Sequence, residues 1–169
     1  RFSLIRRGTR VLDLGCWPGS WMQYAAERVG DKGRVVGIDR NRVEIALPRQ
    51  ATSVVGNVFE VEPADLLLEV EAFDLVLSDM APDTTGIHFT DATRSVALVE
   101  RALEIADRVG APNGAFVAKI LVGSGFDELL GQVKARYKRL KMVRPGGTRK
   151  ESTEQYIVAR ERKPPPEAP

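Results

Sequence analysis

Lys119 stands inside the apolar run Val117-Ala118-Lys119-Ile120-Leu121, and Asp79 closes another, Phe73 to Ser78, ahead of Met80-Ala81-Pro82-Asp83. A lysine in a central strand is rarely buried without a partner, because removing its ammonium from water is costly. If the two runs are neighbouring strands, the Asp79 carboxylate is the partner that Lys119 requires. Such a pair at the mouth of a sheet either takes part in catalysis or only ties two strands together, and structural ion pairs occupy the same kind of place.

A second group of residues has the spacing of a cofactor site. Val11–Leu14 runs into Gly15-Cys16-Trp17-Pro18-Gly19-Ser20-Trp21 and then into a helical pattern. The glycines therefore sit on the first strand-to-helix turn, where open α/β sheets bind their ligands. A dinucleotide fingerprint needs a glycine two positions after the first, and Trp17 stands there, which disfavours a nicotinamide cofactor. The D-x-G-x-x-x-G spacing of Asp13, Gly15 and Gly19 suits a cofactor without phosphates, whose amino-acid moiety lies against the turn. S-adenosylmethionine has that shape. Gly15, Pro18, Gly19 and Trp21 are the candidate contacts on this turn; Trp17 and Trp21 read as packing for the loop and its helix rather than as platforms for bases. Asp39 follows Gly15 by 24 residues at the end of a second strand, placed to accept the hydroxyls of an adenosine ribose. Asn57, after a third strand, is placed to meet the adenine amino group, and Asp79 closes the set. Each of these residues is also an ordinary turn former or helix cap.

To hold these positions together, the chain must alternate parallel strands with crossover helices. Short β-branched runs at Arg10–Leu14, Arg34–Ile38, Ser53–Val55, Phe73–Ser78 and Ala115–Leu121 read as strands buried on both faces. Amphipathic stretches at Ser20–Val29, Asn41–Leu47, Ala64–Val70, Ala92–Val109 and Phe126–Tyr137 read as helices. The expected fold is α/β, a mostly parallel sheet with helices on both faces. Leu140–Val143 and Tyr156–Arg160, joined by Arg144–Thr153, are expected to add an antiparallel hairpin at one edge.

With 169 residues, 43% of them apolar, one domain is expected over 1–163, followed by a flexible proline-rich tail at 164–169. No apolar run approaches the ~20 residues that cross a bilayer. One cysteine and one histidine exclude a disulfide framework and a Cys/His zinc cluster. A cytoplasmic setting, no membrane, no metal and a monomer are the corresponding expectations. The net charge of +2 conceals an uneven distribution: no Lys or Arg occurs between Arg49 and Arg94, whereas 134–150 carries eight basic residues and no acid. Lys134, Lys138, Arg144, Arg149 and Lys150 are candidate contacts for a polyanion such as RNA, forming with Arg1, Arg6, Arg7 and Arg10 a phosphate-binding rim around the strand ends. A solvated charged surface is the alternative.

Taken with Gly123-Ser124-Gly125-Phe126-Asp127 and Glu154-Gln155-Tyr156-Ile157-Val158-Ala159, the motifs above resemble the FtsJ/RrmJ ribose 2′-O-methyltransferases from Val11 to Lys163. The resemblance implies the class I methyltransferase fold, S-adenosylmethionine as cofactor and methylation of a ribose 2′-hydroxyl, with the bacterial branch acting on a uridine of 23S ribosomal RNA in the large subunit. Transfer-RNA or cap methylation, and a catalytically silent module binding cofactor or RNA, are the alternatives. Of the family's Lys-Asp-Lys-Glu tetrad it implies three members, Asp79, Lys119 and Glu154. The fourth, a lysine upstream of the first strand, has no counterpart before Gly8, so this chain is expected to bind cofactor and turn over weakly. Asn57 departs from the acid usual in bacterial members. Lys119 would act either as a neutral general base or as a charged group orienting the hydroxyl oxygen.

Overall fold

A computed structural model describes residues 3–145 and 153–164. Seven strands form one sheet in the order β3-β2-β1-β4-β5-β7-β6. The first five, β1 (Arg10–Leu14), β2 (Arg34–Asp39), β3 (Ala51–Val55), β4 (Phe73–Ser78) and β5 (Gly110–Leu121), run parallel. β7 (Glu154–Arg162) is antiparallel to both β5 and β6 (Tyr137–Val143), so the returning strand lies inside the sheet and β6 forms the edge. The strand order reverses between β1 and β4, and the carboxyl ends beside that switch form a crevice for ligands.

α1 (Ser20–Val29) packs Met22, Ala25, Ala26 and Val29 against Val11, Val35 and Leu75 on one face of the sheet. α2 (His88–Val109) and α3 (Phe126–Arg136) bury the opposite face, where Val99, Leu103, Ala106, Leu129 and Val133 meet Leu12, Val76, Phe116, Ile120 and Ile157. The near-continuous apolar strands are thus covered on both sides, as a parallel sheet requires.

Two expected helices are not formed. Residues 41–47 cross the first turn as an irregular segment. Val43 and Ile45, spaced by two, both lean on Gly19, and the Gln23 side chain donates to Ala46 O at 2.9 Å, so tertiary partners replace a helical ladder. Between 64 and 70 only a short 3-10 turn, Pro63–Leu66, is present, and Leu68 at φ 48° stops it. α2 starts at His88 rather than Ala92 because Asp91 reaches back to the loop before it, and β3 and β5 each start earlier than their apolar cores. Tyr137 opens β6 instead of closing α3. Residues 165–169 of the expected tail lie outside the described residues.

Candidate functional site

Side chains alternate along each strand, so the register decides which of them share a face. Asp13 is opposite Leu77, Leu77 opposite Val117, and Lys119 opposite Tyr156. Asp79 continues beyond Leu77, and Glu154 precedes Tyr156 by two residues. One face at the carboxyl edge therefore gathers Asp79, Lys119, Tyr156 and Glu154. Lys119 Nζ is 3.2 Å from Asp79 Oδ1, with the lysine side chain 15% exposed. The Tyr156 hydroxyl donates to the same oxygen at 2.8 Å. Burial, then the hydrogen bond to Asp79, then the charges of Asp79 and Glu154 raise the Tyr156 phenol above its ordinary range, so it remains a proton donor. The sequence reading brought Asp79, Lys119 and Glu154 together and missed Tyr156. A tyrosine in a strand gives no signal apart from the register opposite Lys119.

A cavity of ≈ 780 Å³ opens beside this group, lined by Gly15, Trp17, Asp39, Asn57, Asp79 and Met80 among others. Gly19 caps α1 at φ 111°, and a Cβ there would stand 2.7 Å from Val43 Cγ1, so glycine is required both by the left-handed backbone and by the close approach. The Asp39 carboxylate accepts from Trp17 N at 3.1 Å and from Asn41 N at 2.8 Å, one donor on each oxygen. Each oxygen retains a lone pair toward the cavity. Asn57 Oδ1 accepts from Phe59 N at 3.1 Å and its amide donates to Glu60 at 3.0 Å, leaving one lone pair and one N–H for a ligand. The donor and acceptor set, the apolar walls from Ile38 and Met80 and the volume fit an adenosine with a short amino-acid chain.

A second cavity, ≈ 840 Å³, is lined on the α1 side of the sheet by Trp21, Tyr24, Arg28, Asp13, Val117 and Tyr156, and it too reaches Asp79. Asp79 is thus the wall common to both. The Trp21 side chain faces this cavity, not the one holding Asp39, because α1 turns it outward onto the edge of Tyr24 at 5.8 Å, a correction to its place among the cofactor contacts. Pro18 does not line the first cavity either. Asp13 is buried in the second cavity's floor with Oδ2 unpartnered, and burial first, then Asp79 and Asp39, push its carboxyl up to about 7.

The basic run does not form a single rim. Tyr137 pairs with Arg162 at the amino edge of the sheet and Val143 with Tyr156 at the carboxyl edge, so among the described residues Lys134 and Lys138 lie at the end remote from Asp79, whereas Arg144 follows the strand end near it and Arg6 lines the second cavity with it. Arg136 is tied to Asp107 and Arg139 to Glu161, each at 2.7 Å, and Arg10 to Asp74 at 2.8 Å. Arg149, Lys150 and Arg1 lie outside the described residues. Among the described residues no group of three or more His, Cys, Asp or Glu could hold a metal ion, and no helix is long and apolar enough to cross a membrane.

The chain is similar to Ribosomal RNA large subunit methyltransferase E of Desulfosudis oleivorans, 44% identical over 158 residues that cover 94% of this chain and 76% of the relative. The enzyme of that name from Myxococcus xanthus is 42% identical over 171 residues, covering all of this chain and 80% of the relative. Among solved structures, a protein described as a ribosomal RNA methyltransferase from Plasmodium falciparum superposes with TM-score 0.80 at 22% identity, covering 94% of this chain and 88% of the other. Human methyltransferase-like protein 13 in complex with SAH superposes with TM-score 0.64 at 14% identity, over 92% and 76%. At these identities the structures speak for the methyltransferase fold alone. The model of the FtsJ-like methyltransferase family matches residues 1–162, and the chain belongs to that family.

Proposed function

We propose that this chain transfers a methyl group from S-adenosylmethionine to a ribose 2′-hydroxyl of RNA, at a uridine of 23S ribosomal RNA in the large subunit. The observation that carries the reading is that Asp79 walls both cavities while one of its oxygens holds Lys119 and Tyr156. An in-line displacement needs donor and nucleophile on opposite sides of the methyl, and two cavities meeting at one carboxylate supply such sides. The relatives' name, Ribosomal RNA large subunit methyltransferase E, supports the substrate.

In this proposal Gly15, Asp39 and Asn57 hold the cofactor, with Gly19 shaping the turn, and the cofactor supplies a methyl group activated on a sulfonium. Asp79 accepts a hydrogen bond from the ribose hydroxyl, and Lys119 meets its oxygen. The ion pair with Asp79 favours the orienting role for Lys119: an ammonium so held donates to one lone pair of the hydroxyl oxygen and leaves the other aimed at the methyl, while the Asp79 carboxylate takes up the hydroxyl proton as the oxygen is alkylated. Tyr156 fixes the Asp79 carboxylate, and Glu154 is the outer acid of the group. Arg144 contacts RNA phosphate beside the site; Lys134 and Lys138 do so farther along the edge. We read the setting as cytoplasmic, in keeping with a single cysteine that is free and buried, and the acting species as a monomer.

The test is transfer of labelled methyl to ribosomal subunits, protein-free ribosomal RNA and transfer RNA. The expected product is one alkali-resistant dinucleotide from the large-subunit RNA. Label on a base, or on transfer RNA alone, would remove the assignment.

A further inference from the structure

Phe89 and Ile87, 66% and 61% exposed, are the two most exposed large apolar side chains among the described residues, and they stand together at the start of α2. The chain that carries them is not slack. Asp91 Oδ1 accepts from Thr85 N and Thr85 Oγ, both at 2.8 Å, and Oδ2 accepts from Gly86 N at 3.2 Å. Ile87 N in turn donates to Thr85 Oγ at 3.2 Å. On the next turn Ala92 meets Gly123 so closely that a Cβ on that glycine would stand 2.5 Å from the alanine's. Leu121 N, at the end of β5, donates to Ser95 Oγ at 2.9 Å. The patch is clamped between the loop that leaves Asp79 and the turn that leaves the strand of Lys119, at the same edge of the sheet as both.

Apolar side chains carried on a backbone already fixed in position leave less to be ordered when something lands on them, and an aromatic ring with two side-chain torsions loses little of its own freedom. The local charge decides what can land. The loop from Asp79 to Thr93 contains no Lys or Arg, and the guanidinium that follows, Arg94, donates to Asp83 O at 3.0 Å. The loop itself therefore offers a phosphate no cation, and Arg94 and Arg40, the latter 3.8 Å from Asp83, stand at its flank. A nucleobase presents a π-face that needs none, and unpaired RNA bases are commonly held by stacking on aromatic side chains.

We infer that Phe89, flanked by Ile87, is a stacking platform for an unpaired base of the RNA next to the nucleotide that enters the Asp79–Lys119 site. The inference rests on the reading of the chain as an RNA methyltransferase. It is tested by measuring KM for protein-free ribosomal RNA and Kd for S-adenosylmethionine in the wild-type chain, Phe89→Ala and Phe89→Trp. Phe89→Ala raises the KM for RNA by about 5- to 150-fold, the alanine-substitution cost of one stacked base. Phe89→Trp restores it, and the Kd of the cofactor is the same in all three. An unchanged KM in Phe89→Ala, a loss that Trp does not restore, or a parallel loss of cofactor binding overturns the inference. So does a loss seen with intact subunits and not with protein-free RNA, which would assign the patch to a protein partner. A wild-type chain that methylates no RNA overturns the parent reading as well, whereas the other outcomes leave it standing.

Discussion

Asp79 Oδ1 is shared by two donors from adjacent strands, Lys119 Nζ at 3.2 Å and the Tyr156 hydroxyl at 2.8 Å. The carboxylate lines the cavity proposed for the cofactor whereas Lys119 reaches the carboxylate from β5, which separates their expected phenotypes. Lys119→Met keeps the apolar stem and removes the charge. Methyl transfer should fall on the order of 10²-fold, the usual cost of losing the orientation of a reacting group, while the Kd of S-adenosylmethionine holds. Asp79→Asn should lower both transfer and cofactor affinity. Single-turnover transfer and calorimetric titration measure the two quantities; retained turnover in Lys119→Met takes it out of the reaction.

Tyr156→Phe deletes only the hydroxyl that fixes Asp79. A hydrogen bond to a charged group contributes on the order of 1.5–3 kcal/mol when buried, and less here because Asp79 is 35% exposed. Transfer should slow on the order of 10-fold, about 1.4 kcal/mol on the same scale, with cofactor affinity unchanged. Loss of the folded state in this variant would instead make Tyr156 a structural residue.

The parts of the site legible in the chain were those at strand ends on one sheet edge, where a polar residue interrupts an apolar run. Lys119 in β5, Asp79 after β4, and Asp39 at the end of β2 all carry that signal. Tyr156 does not, because an aromatic residue in a strand is what a core ordinarily contains, and only pairing across β5 and β7 shows what its hydroxyl meets. The charge run was misplaced for a related reason. Composition along a chain does not state which edge of a sheet a residue reaches, and Lys138 and Arg144, six positions apart, lie at opposite ends of β6. The segment 41–47 looked helical because its packing against Gly19 is a contact between distant residues, invisible to local periodicity.

Asp13 provides a test of the buried floor of the second cavity. Its carboxyl is pushed up to about 7, first by burial, whereas an unfolded aspartate titrates near about 3.9. The folded chain therefore holds the extra proton between these values. Stability contributed by the neutral acid is complete below about pH 4 and is lost as pH rises toward about 7. Asp13→Asn removes this dependence. The difference in Tm between variant and wild type should be small at pH 4 and should grow in favour of the variant by several degrees toward pH 8, at roughly 2–4 °C per kcal/mol for a chain of this size. All other titrating groups are common to both proteins and cancel in the difference. A difference that stays flat with pH would show Asp13 ionised throughout.

The position of β6 sets an order among the basic residues. Arg144 follows Val143, which pairs with Tyr156, so it stands within reach of the same RNA segment that enters at Asp79. Lys134 and Lys138 lie at the amino edge, a strand length or about 15–20 Å away at 3.3 Å per residue. All three are exposed. A phosphate contact near the acceptor contributes to binding any RNA that reaches the site, whereas a distant one contributes only if the RNA is long enough to span the edge. Arg144→Ala should therefore weaken binding of short and long RNA alike. Lys134→Ala combined with Lys138→Ala should weaken only long RNA. Each lost phosphate contact should reduce the slope of log K against log salt by about 0.7 for single strands or about 0.9 for duplex. Titrations of a short loop fragment and of the full large-subunit RNA at several salt concentrations measure both effects. Equal losses for the short fragment in both variants would place all three side chains on one contiguous contact and contradict the geometry of β6.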